Sequence, residues 1–560
     1  MRPVQSSAHH PVQDVDVAVI GCGPVGALTA NLLGARGVTT LVVERSAAPH
    51  GQPRAFSCDD EALRIYQQAG LLDEIRGETI APPLVEYVNR VGRVFARMAL
   101  SETDFGYGHA PLRFFDQPRL EQTLRTGLDR FPHVQLSFGT ELVGLQQDQD
   151  GVTVLLSEVG TGQRRVVRAK YVLGCDGARS ATRAAVRIPL GGASYAEPWL
   201  AVSGDVPPDA VRVRDTRFVC DWRRPAFVSP GAAGSYRLEF MLRPGETEAE
   251  MRRPDMIAAL VSPYVDPDRF DVTRAVVYSF HHLIAKRWRE GRVFLLGDAA
   301  HQMPPFLGQG LCSGLRDAAN LSWKLALVLS GAAGATVLDT YETERRPHTV
   351  EMAQTSVRLG RVFLARNRAT AWMRDTVLRA VQTVPRVRRF VERFEFKPVP
   401  AYRRGLMAGG RRDGVVGTMF PQPRILMPGS PGAGLLDEAL GDGFVVLGPA
   451  TAGGPLGPQW RGLPVRFVAV HPAGTPVTDL PGPFADGQPD RVDVVDVDGV
   501  LGGWLRHHSA DLAVLRPDRF VFALAAVDGI DRVGQDLSAA IGVPSDRPGR
   551  SLRPARGQAA

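Results

Sequence analysis

The sequence predicts an α/β fold spread over more than one domain, and three observations carry that prediction. From Val17 to Arg45 an apolar run, a glycine-rich turn, an alanine- and leucine-rich run and a second apolar run follow one another. Between residues 191 and 285, β-rich stretches alternate with loops rich in proline and glycine. After residue 400 apolar strand-like runs return between short helical segments, the pattern of a separate small α/β domain. A chain of 560 residues is too long for a single core, so about two or three domains are expected.

The first stretch, "VAVIGCGPVGALTANLLGARGVTTLVVER", reads as strand (Val17 to Ile20), tight turn, helix (Ala27 to Ala35) and strand (Leu41 to Val43). In such a unit Gly21 permits the turn, Gly23 lets the backbone approach a pyrophosphate, and Gly26 lets the helix pack close to the strand. The helix N-terminus then faces the phosphates. Glu44, followed by Arg45, stands at the end of the second strand, where a carboxylate accepts from ribose hydroxyls. Dinucleotide binding follows, with the identity of the dinucleotide open at this point.

"DEALRIYQQAGLLDEI" (Asp60 to Ile75) has helical spacing, and "PRLEQTLRTGLDRF" (Pro118 to Phe131) reads as a helix opened by proline. "VQLSFGTELVGLQQDQDGVTVLLSE" reads as strands with a turn near Asp150. "AKYVLGCDGARSATR" gives a strand ending at Gly174, with Asp176 and Gly177 in the turn. This unit spans residues 15–190 and resumes over 286–400, and an antiparallel sheet is inserted at 191–285 ("SYRLEFML", "RAVVYSFHHLIAKRW").

In "GRVFLLGDAAHQMPPFLGQGL" the run Val293 to Leu296 delivers Gly297 and Asp298 to a strand end, where ligands meet open α/β sheets. Asp298 can accept from a ribityl or ribose hydroxyl. Pro304 and Pro305 stiffen the next loop. Gly308 and Gly310 let backbone N–H groups face a cofactor ring, at the head of a helix expected from about Gly314. Residues 401–545 make the last domain. Residues 1–14, without the apolar stretch of a signal peptide, and residues 546–560 read as disordered ends.

Composition excludes several classes. Hydrophobic content of 44% with 22% charged residues is that of an ordinary globular protein. No apolar run reaches the roughly 20 residues of a membrane span, and the cytoplasm is the expected location. The net charge of +7 comes mostly from scattered arginine. Without a Lys/Arg run or an aromatic-basic platform, no nucleic-acid partner is expected. Cys22, Cys58, Cys175, Cys220 and Cys312 lack any CxxC or His/Cys spacing, so neither a metal site nor a thiol redox pair is expected.

Taken together, GxGxxG ending in Glu44-Arg45, the DG pair Asp176-Gly177 and the GD pair Gly297-Asp298 resemble the class A flavin-dependent aromatic monooxygenases, the group typified by para-hydroxybenzoate hydroxylase. Within that group the chain is most similar to the 3-(3-hydroxyphenyl)propionate hydroxylase branch. The stretches "PRAFSCDDEALRIYQQAGL", "FDQPRLEQTLR", "MLRPGETEAEMRRP", "GQGLCSGLRDAANLSWKLALVLSG", "LDTYETERRPH", "FKPVPAY" and "LAVLRPDRFV" carry that likeness. The resemblance implies a Rossmann-like FAD-binding domain, an inserted substrate-binding sheet and a C-terminal thioredoxin-like α/β domain. That last domain is free of cysteine here, so a structural or assembly role is implied, and a homodimer is compatible with it.

The resemblance further implies FAD as the dinucleotide, NADH or NADPH as reductant and O2 as oxidant. It implies that a small phenolic substrate, a 3-(3-hydroxyphenyl)propionate-like acid, is hydroxylated through a flavin C(4a)-hydroperoxide. It implies that Gly21, Gly23 and Gly26 form the phosphate loop and that Glu44 holds the adenosine ribose beside Arg45. Arg54 and Gln117 lie on the flavin side, Asp298 on the ribityl chain, and Leu311 and Cys312 donate backbone N–H groups to the ring. Pro304 and Pro305 shape the oxygen-transfer pocket. Arg54 and the prolines, with His301 as a candidate acid–base group, make the expected catalytic set. His281, His282 and Tyr195 are further candidates by location only, and Arg212, Arg214, Arg217 and Arg237 are all open as carboxylate anchors. "PRAFSCDDEALR" and "HAPLRFFDQ" are bulkier than the branch pattern, which keeps open a tailoring hydroxylase acting on a larger phenol or polyketide. A reductase or halogenase-like enzyme and a flavoprotein without turnover are the remaining alternatives.

Overall fold

Continuous apolar runs build the first sheet. In the computed structural model, which describes residues 12–47, 55–365, 367–409, 414–452, 456–460, 462–481 and 491–542, Gln13–Ile20 (β1) is followed by the helix Pro24–Gly34 (α1) and the strand Thr40–Val43 (β2). β1 pairs in parallel with β2 on one side and with Arg164–Gly174 on the other. Val134–Ser137 extends the sheet beyond β2 and Val293–Leu295 extends it beyond Arg164–Gly174, both in parallel. Helices cover parallel sheets on both faces, and Val17 to Ile20 and Leu41 to Val43 are accordingly buried without alternation. The strand ends at Ile20, Val43, Gly174 and Leu295 lie in register along one edge of the sheet.

The second sheet runs in the order His301–Gln302, Asp271–Ala285, Leu190–Asp205, Ser235–Met241, Ala226–Pro230, Thr216–Val219, Leu84–Val88, Val94–Ala99. Its strands are antiparallel except where Thr216–Val219 runs alongside Leu84–Val88. The sheet thus draws in a hairpin from residues 84–99 as well as the stretch 191–285. Period-2 alternation sorts its faces. Tyr236, Leu238 and Phe240 pack into one core with Leu200, Val202 and Val228, leaving Arg237 and Glu239 for the opposite face.

Local chemistry moves several boundaries. The helical run expected over Asp60 to Ile75 is two helices, Asp60–Gln68 and Leu72–Gly77, because Gly70 turns the chain at φ +67°. The helix expected from Pro118 is Gln117–Thr126, capped by the Asp116 side chain accepting from Arg119 N–H, and it tightens into a 3-10 turn at Gly127–Arg130. Gly310–Ser330 begins before Gly314, so that Gly310 and Leu311 are its first turn. β1 begins at Gln13, inside the stretch read as a lead-in, and residues 546–560 lie outside the described residues.

By contacts, the described residues divide into two compact units, one drawn from residues 1–104, 110–318 and 349–398, the other from 105–109, 319–348 and 399–560. The second unit holds a sheet in the order Gly434–Leu435, Arg424–Leu426, Arg491–Asp496, Val465–His471, Phe444–Pro449, Leu512–Leu515, Val521–Ala525. The three strands Arg491–Asp496, Val465–His471 and Phe444–Pro449 are parallel, and the last two in the order are antiparallel. No described helix is long and apolar enough to cross a membrane.

A fully buried ionic group lies within this second unit. Glu344 accepts from Arg516 at 2.7 and 2.8 Å, from Lys324 at 2.7 Å and from Asn320 at 2.6 Å, while Arg516 also donates to Asp518. Burial opposes ionisation of Glu344, but the charges of Arg516 and Lys324 outweigh it and bring the carboxyl down to about 2. Burial brings the Lys324 ammonium down to about 8 against the pull of Glu344. Removing one member of such a group leaves the others charged and dry. Glu344→Ala is therefore expected to lower stability by about 3–5 kcal/mol, read as a shift in the urea unfolding midpoint, whereas the exposed Arg253→Ala should leave it in place.

Candidate active site

One cavity of about 850 Å³ runs through the first unit. It begins at Gly23, Pro24 and Val25 on the α1 N-terminus, passes Asp298, Gly308, Gly310 and Leu311, and ends among Phe56, Phe114, Phe218, Phe227 and Phe280. A polar, backbone-lined end thus opens into an aromatic end.

The glycines divide by function. A Cβ on Gly26 would stand 2.0 Å from the Gly21 carbonyl oxygen, and one on Gly21, at φ +99°, would stand 2.5 Å from the Cys175 carbonyl oxygen. These two allow helix, turn and strand to touch. At Gly23 a Cβ would meet nothing within 4 Å, so that glycine faces the open cavity and leaves room for a phosphate at the helix N-terminus.

Cys22 fixes the loop between them. Its N–H donates to Glu44 Oε2 at 2.9 Å, and its carbonyl accepts from Arg125 Nε and Nη2 at 3.2 and 3.1 Å. Arg125 is held in turn by Glu121 at 3.0 Å, Glu121 by Gln117 Nε2 at 2.8 Å, and Gln117 Oε1 accepts from Ala55 N–H at 2.8 Å. Glu44 is therefore engaged with the loop backbone, its Oε1 accepting from Ser46 N–H. Arg45 is exposed, and Gln117 lines the cavity. The buried Nη1 of Arg125 has no partner among the described protein atoms, a donor left over for a bound anion.

The remaining expected residues fall into two groups. Asp298, Pro305, Gly308, Gly310 and Leu311 line the cavity. Others hold the turns in place behind it. Asp176 accepts from Thr182 N–H and Oγ1, both at 2.9 Å, and from Ser180, capping the helix that follows, while Gly177 and Ala178 face the cavity. Gly297 donates its N–H to Asp317 at 3.1 Å, and the Pro304 carbonyl accepts from Ser356 Oγ at 2.7 Å. The Cys312 side chain is buried against the Ser57 and Gly308 carbonyls. Arg54 lies outside the described residues.

His301 needs correction as an acid–base candidate. Its Nε2 is 2.6 Å from Asp317 Oδ2, the side chain is 1% exposed, its ring lies against Trp288, and it is absent from the cavity wall. The strand His301–Gln302 turns it inward, so it braces the Gly297 turn through Asp317. His281 does line the cavity, with Nδ1 2.8 Å from Ser194 Oγ.

Arg125, Asp317, Glu239 and Tyr278 were missed, and Arg237, one of the four arginines open as carboxylate anchors, is held by Glu239. Arg237 Nε donates to Glu239 Oε1 at 2.8 Å, and Tyr278 Oη donates to Glu239 Oε2 at 2.6 Å. Arg237 and Tyr278 are hydrogen-bonded to each other as well. Glu239 and Tyr278 line the aromatic end of the cavity. The alternation in "SYRLEFM" is the signal that could have shown Arg237 and Glu239 on one strand face.

Joined to Gln309 is a second ionic cluster. Arg316 pairs with Asp59 and with Glu61 at 2.7 Å and donates to Gln309 Oε1 at 2.9 Å, while Lys397 reaches Asp59, Asp60 and Glu61 at 2.9, 2.8 and 3.1 Å. The three carboxylates are therefore occupied by cations of the chain. Burial, with Asp59 and Glu61 adding to it and Lys397 opposing, raises the Asp60 carboxyl to about 6. Burial also raises the Cys22 thiol to about 11 and holds those of Cys58, Cys175 and Cys312 above their ordinary range, so they stand as neutral packing groups.

The FAD binding domain family matches residues 14–356, and the HcaD C-terminal domain family matches residues 417–540. The chain is 39% identical over 546 residues to the 3-(3-hydroxy-phenyl)propionate/3-hydroxycinnamic acid hydroxylase of Mycobacterium avium (strain 104), covering 94% of this chain and 92% of that one. It is similar to the solved p-nitrophenol 4-monooxygenase PnpA from Pseudomonas putida DLL-E4, with a TM-score of 0.63, 27% identity, and 70% and 100% of the two chains covered. It shares the fold of the flavin-dependent monooxygenase PieE, with a TM-score of 0.76 at 21% identity over 96% of this chain and 100% of that one.

Two outcomes test this construction. Arg125→Ala frees the Cys22 carbonyl and is expected to weaken FAD binding at least about tenfold, roughly 1.4 kcal/mol, in a flavin fluorescence titration. Asp60 has a native value raised above its ordinary 3.8, so its contribution to stability is present below that value and is lost as pH rises through about 6. Asp60→Asn should consequently gain on the wild type between about pH 4 and pH 7 in thermal unfolding followed across pH.

Proposed function

The chain belongs to the FAD binding domain family of flavin-dependent aromatic monooxygenases, and from that premise we propose that it hydroxylates the ring of a small phenolic acid of the 3-(3-hydroxyphenyl)propionate type. The observation that carries this reading is the single cavity joining Gly23 at the α1 N-terminus to an aromatic chamber. One end suits a dinucleotide and the other a benzene ring. The relatives named for hydroxylation of 3-(3-hydroxy-phenyl)propionate and 3-hydroxycinnamic acid supply the substrate class.

The residues present fit FAD. Gly23, the first turn of α1 and Arg125 would take the pyrophosphate, Glu44 the adenosine ribose, Asp298 the ribityl chain, and the N–H groups of Gly310 and Leu311 the flavin ring. When bound, and reduced by NADH or NADPH, FAD supplies activated oxygen for insertion into the substrate ring. The helix Gly310–Ser330 presents its positive end to the flavin edge on which negative charge develops. Trp199, Phe280 and Phe306 pack edge-on or tilted against one another at 5.7 to 6.4 Å and keep water from the chamber, which limits wasteful release of peroxide. In the second unit, three parallel strands beside an antiparallel pair, with no cysteine beyond Cys312, support a thioredoxin-like domain with a structural role.

A second reading has one observation in its favour. Among the described residues lining the cavity the only arginine is Arg179, which is exposed and lies beside Gly177. An aromatic chamber without a buried arginine on its wall also suits a larger phenol that carries no carboxylate. The two readings separate in one assay, in which oxidation of NADH and NADPH by the FAD-loaded protein is followed with and without 3-(3-hydroxyphenyl)propionate and the product is weighed. Faster oxidation with a product one oxygen heavier is expected. Faster oxidation giving peroxide alone, or no stimulation at all, with turnover of polycyclic phenols instead, transfers the assignment to the second reading.

A further inference from the structure

The helix Arg368–Val381 turns an apolar face to solvent. At about 100° of turn per residue, the positions from Trp372 round to Val381 occupy an arc of about 180°. That arc takes in Ala369, Met373, Val377 and Ala380 and not one charged residue. Trp372 is 67% exposed, Met373 57% and Val377 51%. Arg368 and Arg379 border the arc on one side and Arg374 borders it on the other. The single acid of the helix, Asp375, is buried and paired with Arg374 at 2.8 Å. The next helix, Pro385–Glu392, continues the pattern, with Val384 and Phe390 exposed among exposed Arg386, Arg389 and Arg393. From Asn367 to Arg393 there are seven arginines against two acids, and the second acid, Glu392, lies 3.5 Å from Arg388.

This face is fixed to the first unit from behind. Arg374 donates to the carbonyls of Val362, Phe363 and Cys220 at 3.3, 3.2 and 2.8 Å, and its guanidinium lies 5.1 Å from the Phe95 ring centre. Gln382, just past the helix, donates to the Phe95 carbonyl at 2.5 Å. Phe363 and Phe394 line the cavity, whereas Trp372, Met373 and Val377 do not. The chain thus leaves the cavity wall at Phe363 and returns to it at Phe394, and the two helices between them are an outward excursion. An exposed apolar patch rimmed by charge marks an interaction surface.

We propose that the helices Arg368–Val381 and Pro385–Glu392 form a docking surface for an anionic phospholipid bilayer. Trp372, Met373 and Val377 enter the headgroup boundary, and the surrounding arginines meet lipid phosphates. Charge selects this occupant. A two-fold pairing with a second copy sets the same arginine rim against itself, and like charges across an interface oppose association. An anionic bilayer offers the opposite sign over a continuous area, with an apolar layer directly beneath it. Tryptophan is favoured at headgroup level, and arginine stems cover apolar surface while their charged ends stay at the phosphates. Such attachment is peripheral and reversible, requires no membrane-spanning helix, and leaves the cavity residues untouched.

The test sediments the full-length, FAD-loaded protein with vesicles of phosphatidylcholine alone and of phosphatidylcholine mixed with phosphatidylglycerol. Trp372→Glu and the double variant Arg386→Glu with Arg389→Glu are run beside the wild type, with flavin content and circular dichroism as checks on folding. The wild type is expected to sediment with the phosphatidylglycerol vesicles, and less so as ionic strength rises. Each variant should bind at least about tenfold more weakly, one through the apolar contact and the other through the charge. Failure of the wild type to sediment overturns the proposal, as does binding that both variants retain in full or that is equal on the two kinds of vesicle. Sedimentation velocity of the same proteins without lipid provides the remaining arm. A wild-type dimer that Trp372→Glu dissociates assigns the face to a second copy and overturns the proposal, whereas a monomer throughout, together with vesicle binding, upholds it.

Discussion

The backbone of Cys22 is gripped at both its N–H and its carbonyl, and much of the site depends on that grip. Glu44, at the end of β2, takes its N–H, and Arg125, from the helix Gln117–Thr126, takes its carbonyl. A loop with Gly21 and Gly23 on either side has little conformational preference of its own, so its shape has to be imposed. Two charged side chains from distant parts of the chain impose it, and both are anchored to regular elements. Gly26 then sets the distance between helix and turn, because the place a side chain would occupy is filled by the Gly21 carbonyl. The helix end is thereby held at the cavity wall, aimed at a position where an anion is stabilised by free N–H groups and by the helix dipole.

A similar economy governs the opposite wall. Asp317, in the helix Gly310–Ser330, accepts from Gly297 N–H and from His301, so one carboxylate locks the turn that presents Asp298 and the short strand that follows. Arg316, its neighbour in sequence, reaches Gln309 and the Asp59–Glu61 carboxylates. Neither residue touches the cavity. Their charges are taken out of water in mutually satisfied groups, which is the condition under which buried ions are tolerated and give a unique arrangement. Rigidity at the cofactor end is thus obtained from ion pairs behind the backbone, leaving the backbone N–H groups themselves for the ligand.

Much of this was legible in the sequence, and the misses share a cause. The strand–turn–helix–strand unit and the Gly297-Asp298 turn are local patterns, written in consecutive residues, and the cavity wall includes Gly23, Gln117, Asp298, Gly308, Gly310 and Leu311. Arg125, Asp317 and Glu239 act across long sequence separations, and no spacing rule links Cys22 to Arg125. His301 looked available because it follows a motif that lines a ligand site. A two-residue strand turns it into the interior, a matter of pairing register with Leu283 and Ile284 that single residues do not reveal. The hairpin at residues 84–99 was overlooked for a related reason, since its strands join a sheet built mostly from residues more than a hundred positions later.

The charge state of the aromatic chamber follows from the same accounting. A benzene ring bearing a hydroxyl enters a space walled by Phe56, Phe227 and Phe280, where an isolated anion is costly to form. Moving a lone proton out of such a place to solvent would leave that anion uncompensated. The charged groups beside the chamber form a balanced pair, Arg237 with Glu239, linked to the cavity by a tyrosine hydroxyl. The pair is neutral as a whole, so its burial beside the chamber leaves no uncompensated charge there. An unpaired carboxylate there would take up a proton itself, since burial favours its neutral form. The neutral triad keeps polar groups beside the ring without an uncompensated charge, and without admitting water to the place where activated oxygen must be kept dry.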